Sequence, residues 1–174
     1  EVHTPETLSS QKYLARLGPD ALDDHVVWRD LLTRLQDPKF AGRSLAALYL
    51  DQSFVAGIGN YLRSEILFNA GLNPFDRPKD LSRRQLGVLA RNTRALTRQA
   101  YATSGVTNTA VRVKRLQAMG LSRRRYRHWV FDRQKEDCYR CGGTVERIEV
   151  SGRRIYVCYA CQPSARAAMT KAEP

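Results

Sequence analysis

The chain has 174 residues, enough for one substantial domain or a domain plus a small module, and it carries 29 Lys and Arg against 17 Asp and Glu. A formal net charge of +12 costs self-repulsion and points to an anionic partner, nucleic acid first. A membrane is disfavoured: no window reaches spanning length without charge, and no strongly amphipathic Trp/Phe/Lys helix offers a clean apolar face.

The first stretch, 1–20, is polar, holds Pro5, Gly18 and Pro19, and reads as a linker or arm. Asp24 is placed to cap a helix through about Leu35, with Val26, Val27, Leu31 and Leu35 on one face, and Asp37-Pro38 stops it. A short Leu/Ala-rich helix follows over Leu45 to Leu50. The run Asp51 to Asn60 is a glycine-bearing turn, after which Tyr61 to Ala70 resumes helix with Gly71 as its C-terminal cap. Ser82 and Gln85 form a capping box for a longer helix to about Ala100, with Leu86, Leu89, Thr93 and Leu96 inward. On the opposite side Arg91, Arg94 and Arg98 read as a solvated stripe. Thr103 to Thr109 is a loop, and Arg112 to Arg127 holds seven basic residues and no acidic one. Within it, Arg123-Arg124-Arg125-Tyr126-Arg127-His128-Trp129 suits either phosphate contact with stacking or a tether that buries Trp129. Residues 163–174 are small and polar and read as a frayed tail. The pattern is mainly α, an all-helical part followed by a small two-stranded module.

That module is built on the chain's only cysteines, Cys138, Cys141, Cys158 and Cys161, two C-x2-C pairs sixteen residues apart. Such pairs bring four thiolates to one tetrahedral point, as a structural zinc requires. Rubredoxin-like iron would use the same ligands, and two disulfides are the alternative pairing. Between the pairs, Thr144 to Val150 and Arg153 to Val157 alternate as strands about a Ser151-Gly152 turn, so Arg153 and Arg154 sit at the tip of a hairpin. His3, His25 and His128 have no metal-ligand spacing.

In the central turn, Gly57-Ile58-Gly59-Asn60 places two glycines immediately before a helix. Backbone N–H groups there face outward unobstructed, with the positive helix end behind them, and Asn60 at the cap position adds a side-chain amide. The arrangement suits a phosphate; a plain helical corner would look the same.

Taken together, Leu50-Asp51-Gln52, Gly57-Ile58-Gly59-Asn60-Tyr61-Leu62-Arg63 and Glu65-Ile66-Leu67 resemble the helix–two-turns–helix of the formamidopyrimidine-DNA glycosylase and endonuclease VIII family. Val130-Phe131-Asp132-Arg133 and Cys158-Tyr159-Ala160-Cys161-Gln162 resemble the lead-in and ending of that family's zinc finger, and the Asn-Tyr-Leu-Arg continuation is closer to the bacterial endonuclease VIII branch. The resemblance runs from about Leu17 to Gln162. It implies phosphate contacts from Asn60 and Arg153 over a Gly57/Gly59 backbone cradle, a DNA-side role for Gln162, an acidic position at Glu65 and a structural zinc on the four cysteines. It also implies removal of oxidised bases, pyrimidines above all, from damaged double-stranded DNA, followed by β,δ-elimination, in a monomeric protein of the bacterial cytoplasm and nucleoid. The family's N-terminal Pro-Glu and β-sandwich have no counterpart here, and Pro5-Glu6 is internal, so this sequence reads as the C-terminal part of such an enzyme and is expected to be inactive alone. The expected divisions are a linker over 1–20, a helical domain over 21–128, a zinc finger over 129–162 and the tail. The rival class is a non-enzymatic ribosomal or chromatin-like nucleic-acid module with a structural metal.

Overall fold

A computed structural model describes residues 14–165. His3, Pro5-Glu6, most of the expected arm and the tail beyond 165 lie outside the described residues. The helices are α1 (Trp28–Gln36), α2 (Pro38–Ala41), α3 (Leu45–Leu48), α4 (Asn60–Ala70), α5 (Arg83–Ala102), α6 (Ala110–Ala118) and α7 (Arg123–Tyr126); short 3-10 turns cover Leu14–Arg16 and Pro78–Asp80. The strands β1 (Glu146–Val150) and β2 (Arg153–Val157) pair antiparallel, Val150 opposite Arg153. Among the described residues no helix is long and apolar enough to cross a membrane.

The expected helices are present with shifted ends. Helix α1 starts at Trp28, not after Asp24: Asp30 reaches back to accept the Val27 amide at 2.7 Å, satisfying an end donor from inside the helix. Asp24 instead pairs with Arg98. The Ser82–Gln85 capping box forms as expected at the start of α5, and Gly71, at φ +68°, caps α4. The basic stretch contains α6, started by Thr109 accepting from the Arg112 amide, and α7.

Helix α5 packs along both α1 and α4. Leu31 and Leu35 of α1, Leu62, Ile66 and Leu67 of α4, and Leu86, Leu89, Ala90 and Leu96 of α5 meet in one core. A second cluster joins Phe68 of α4 to Trp129, Val130, Val145 and Tyr156. The hairpin is not a separate module: Ile155 belongs to the helical core, and Ile148 and Val150 pack against it. Helix α4 therefore faces both clusters, which explains why seven consecutive residues, Leu62 to Phe68, are buried.

The arginine stripe on α5 is not merely solvated. Arg94 donates to the carbonyls of Asp23, Asp24 and Val26, Arg98 pairs with Asp24, and Arg91 stacks 5.0 Å over Trp28. Three side chains thus hold the 23–28 segment. The end of the expected arm is also docked: the Gly18 amide donates to Gln52 O at 2.8 Å and the Ala56 amide to Pro19 O at 3.0 Å. This strap presses directly on the central turn, since a Cβ on Gly18 would lie 2.5 Å from Phe54 O. Gly18→Ala is therefore expected to cost about 1–3 kcal/mol through overpacking against backbone that cannot swing aside, read as a lowered urea midpoint at unchanged slope.

Candidate nucleic-acid interface and metal centre

The central turn is shaped by the two polar residues that open it. Asp51 pairs with Arg43 and accepts the Ser53 amide at 2.8 Å. Burial pushes its carboxyl up, but Arg43 and Ser53 together outweigh that and bring it down to about 2. Gln52 bridges the loop, donating to Ile58 O at 3.0 Å and accepting from the Gly57 amide at 2.9 Å. Gly57 takes φ +84°, a left-handed conformation that glycine adopts without strain. Gly59 has a different use: a Cβ there would meet nothing within 4 Å, so the surface in front of it is open. Gly59, not Asn60, is the N-cap, and the first helix bond closes from the Arg63 amide to Gly59 O. The amides of Asn60, Tyr61 and Leu62 are consequently left without intrahelical acceptors at the positive end of α4.

The hairpin tip meets this turn. Ser151 and Gly152 both have positive φ, +54° and +69°, as a two-residue turn between twisted strands requires. Arg153 follows, exposed, and lines one cleft with Leu50, Gln52, Ile58, Gly59 and Asn60. The sequence-predicted residues Gly59, Asn60 and Arg153 therefore do come together, with Gly57 on the same loop. Gln162 does not. It is fully buried, donating to Leu72 O at 2.8 Å and accepting the Cys158 amide at 3.1 Å, while its own carbonyl accepts from Asn73. Both ends of its amide are used within the protein, so it fastens the finger to the end of α4 and presents nothing to DNA.

Two residues inside α4 organise the region. Arg63 has no exposed surface. Its guanidinium donates to Ala46 O at 2.8 Å, Asn60 Oδ1 at 3.4 Å, Arg153 O at 3.3 Å and Arg154 O at 3.0 Å. Burial, reinforced by the nearby Arg153 charge, pushes it down to about 10, still cationic at neutral pH. Since Arg63 can only donate, the Asn60 oxygen faces it, and the Asn60 Nδ2 donor has no partner among the described residues.

Glu65, the acidic position, is equally buried and accepts four hydrogen bonds: the amides of Trp129, Val130 and Phe131 at 2.8, 2.9 and 3.0 Å, and the Thr107 hydroxyl. Burial pushes its carboxyl up, against the pull of these donors. The chain of bonds continues outward. Arg127 Nε donates to His128 Nε2 at 2.8 Å, so the neutral ring carries its proton on Nδ1, 3.3 Å from Thr107 Oγ1.

The basic stretch is mostly committed to packing. Arg112 lies 4.6 Å over Trp129, Arg123 donates to Ser104 O, Arg124 pairs with Asp132, Arg125 with Glu136, and Arg127 with His128. Trp129 is 8% exposed. Of the two roles open for this stretch, the tether accounts for most of its cations. Tyr61 and Phe68 are packing residues, Phe68 stacked 5.8 Å from Trp129.

All four cysteines are free, and their sulfurs lie within 4.8 Å of one another. Cys138 to Cys161 is 3.9 Å and Cys141 to Cys158 is 3.5 Å. A tetrahedron with metal–sulfur bonds of about 2.3 Å has edges of about 3.8 Å, so the spacing fits one metal ion. Amides of Arg140 and Gly143 donate to Cys138 and Cys141 at 3.4 Å, and the Gly143 bond helps bring Cys141 down to about 7. Such bonds favour the thiolate a metal needs.

Residues 17–111 match the formamidopyrimidine-DNA glycosylase H2TH domain, and the chain belongs to the formamidopyrimidine-DNA glycosylase/endonuclease VIII family. Endonuclease 8 of Escherichia coli O6:K15:H31 (strain 536 / UPEC) is 41% identical over 162 residues, which cover 93% of this chain and 58% of that protein. The MutM (Fpg) protein of Thermus thermophilus superposes with a TM-score of 0.73 at 32% identity, over 94% of this chain and 59% of that one. Lactococcus lactis Fpg, solved with DNA containing an abasic site, gives 0.72 at 19% identity over 93% and 57% respectively, a likeness of fold. The chain thus spans somewhat over half the length of the curated relatives it matches. Membership of a repair family favours that class over the ribosomal or chromatin-like module.

Two outcomes are expected. The protein should bind one metal ion per chain; stripping it with a chelator should leave most far-UV helical signal but lower the unfolding midpoint, because Ile155 ties the hairpin to the helical core. The second concerns His128, which burial, helped by Arg127, pushes down to about 3, against an ordinary value of 6.5. Its neutral folded form contributes stability in full above pH 6.5. That contribution is lost as pH falls from 6.5 toward 3, by up to about 1.4 kcal/mol per pH unit. Urea unfolding of His128→Gln should show a shallower decline than the parent across this window.

Proposed function

We propose that this chain is the DNA-gripping part of an endonuclease VIII-type DNA glycosylase/AP lyase. The observation that carries the reading is the cleft where the free Asn60 Nδ2 donor, the open backbone in front of Gly59 and the exposed Arg153 converge. A phosphate fits that combination: unpaired amides at a helix N-terminus, one neutral donor and one guanidinium. Gly57 sets the turn and Gly59 keeps its face open. The ligand is damaged duplex DNA, gripped by a monomer on the two phosphates beside a flipped nucleotide, in the bacterial cytoplasm and nucleoid. The helix–two-turns–helix unit is α3, the 49–59 turns and α4, lying within the proposed 21–128 domain, with the finger over 129–162. The metal is zinc, held by Cys138, Cys141, Cys158 and Cys161, and its part is structural.

In the whole enzyme the substrate is an oxidised base, a pyrimidine for preference, and strand cleavage follows by β,δ-elimination. No residue of this chain is assigned to attack the sugar, so on this reading the chain alone binds DNA without excising or nicking. Its own chemistry is to bind, to orient the backbone and to neutralise phosphate.

The test is a salt titration on a duplex carrying a tetrahydrofuran abasic analogue. Arg153→Ala should cost about 1.5–3 kcal/mol and reduce the log–log salt slope by about one unit. Asn60→Ala should weaken binding with the slope unchanged, because Asn carries no charge. Parent-like affinity for both variants at matched salt overturns the clamp.

A further inference from the structure

We propose that Arg63 is the positioning residue that sets the two halves of the phosphate cleft, holding the hairpin tip and the Asn60 amide in register without itself touching DNA. The proposal rests on the clamp reading above. Its ground is the set of acceptors around a single buried guanidinium: Ala46 O in α3, Asn60 Oδ1 at the head of α4, and the carbonyls of Arg153 and Arg154 in β2. The three elements are brought together from positions up to 91 residues apart in sequence. No residue but arginine offers a planar fork of donors wide enough to serve them all.

Two features separate this from ordinary packing. The bonds go to the main chain of Arg153 and to the side chain of Asn60, the two groups whose remaining donors face the cleft, so a shift at Arg63 moves both at once. The arrangement also carries a cost: Arg63 Nε is buried without a partner, and the Arg63 and Arg153 cations are close enough to depress Arg63. A core built for stability alone would place an apolar side chain here. An anion entering the cleft relieves that repulsion, which makes the costly arrangement useful when DNA is bound. Ser64 supports the same register, its hydroxyl accepting the Tyr156 amide at 3.2 Å.

The experiment is a double-mutant cycle on the full chain, binding the abasic-analogue duplex, with amide hydrogen exchange of residues 151–154 measured without DNA. Arg63→Gln should weaken binding about tenfold, with the salt slope changed by much less than one unit, and speed exchange at the tip. In an Arg153→Ala background the same change should cost clearly less, about threefold, because one of the two groups it positions is gone while Asn60 remains. Arg63→Lys keeps the charge but loses the fork, so it should recover only part of the affinity; it also stands in should the Gln variant fold poorly. An equal loss in both backgrounds, a slope reduced by a full unit, or full rescue by Lys overturns the positioning role. If instead the parent and Arg153→Ala bind alike, the clamp reading itself fails, and unchanged exchange at the tip on Arg63→Gln then rejects the positioning role separately.

Discussion

Two opposite charges with no exposed surface sit two residues apart on α4, and the fold around the cleft is what satisfies them. A buried ion is tolerable only when its hydrogen-bonding capacity is met, and here Arg63 and Glu65 do not pair with each other. Arg63 takes carbonyls from α3 and β2. Glu65 takes the consecutive amides of Trp129, Val130 and Phe131, together with Thr107. Three amides in a row converge on one carboxylate only if the chain curls around it, so Glu65 fixes where the lead-in to the finger begins. Arg63 then fixes where the hairpin ends. Between them they convert a helix into a bracket for segments that would otherwise be joined to it only by apolar contact.

Much of this was legible in the sequence. The two C-x2-C pairs and the Ser151-Gly152 turn led directly to the clustered sulfurs and the hairpin, because metal spacing and positive-φ turn chemistry are local. The Gly57 to Asn60 run led to the cleft for the same reason. What local pattern could not supply was the fate of polar side chains. Gln162 follows a cysteine and reads as available, yet tertiary packing turns it inward onto Leu72 O. Arg91, Arg94 and Arg98 share an outward face, yet the 23–28 segment lies across them. Arg63 stands in the sequence only as the end of the Gly57 to Arg63 motif, with no sign of its burial. The signal for it lies in Tyr61 to Phe68, where apolar residues occupy every helical face and leave Arg63 and Glu65 no route to solvent; a helix hydrophobic all round is buried all round.

The charge of the chain also divides unevenly. Residues 81–131 contain twelve Lys and Arg and no Asp or Glu, so this one segment accounts for the whole formal net charge and the remainder is balanced. Most of its cations are committed within the protein. Arg112 and, from outside the segment, Arg140 both approach the ring of Trp129, Arg94 donates to main-chain carbonyls, and Arg124 and Arg125 cross to acids on the finger lead-in. Guanidinium groups suit such work because they stack on aromatic faces while donating at their edge. A basic composition therefore points to an anionic partner although most of its cations lie outside the cleft. The long-range field still draws a polyanion, since pairing within one segment leaves the net charge of the whole chain in place.

The finger is fastened to α4 at both ends, and this gives the metal a reach beyond its ligands. At the C-terminal end of the helix, Gln162 and Asn73 lock the last cysteine pair against Leu72, and Arg140 donates to Phe68 O. At the N-terminal end, Arg63 and Ser64 hold β2. The cysteine cluster sits at the first anchor, and Arg153 at the second. Loss of metal would free the first anchor's loops, but the strand register and Ile155 would still tie the tip to the core. Disruption at the cleft then depends on how far the hairpin pivots about Ile155, a buried hinge only two residues from Arg153. So short a lever moves the tip little for a given rotation. The clamp is thus held most directly by Arg63, with the metal acting as the support that keeps the hairpin's far end from fraying.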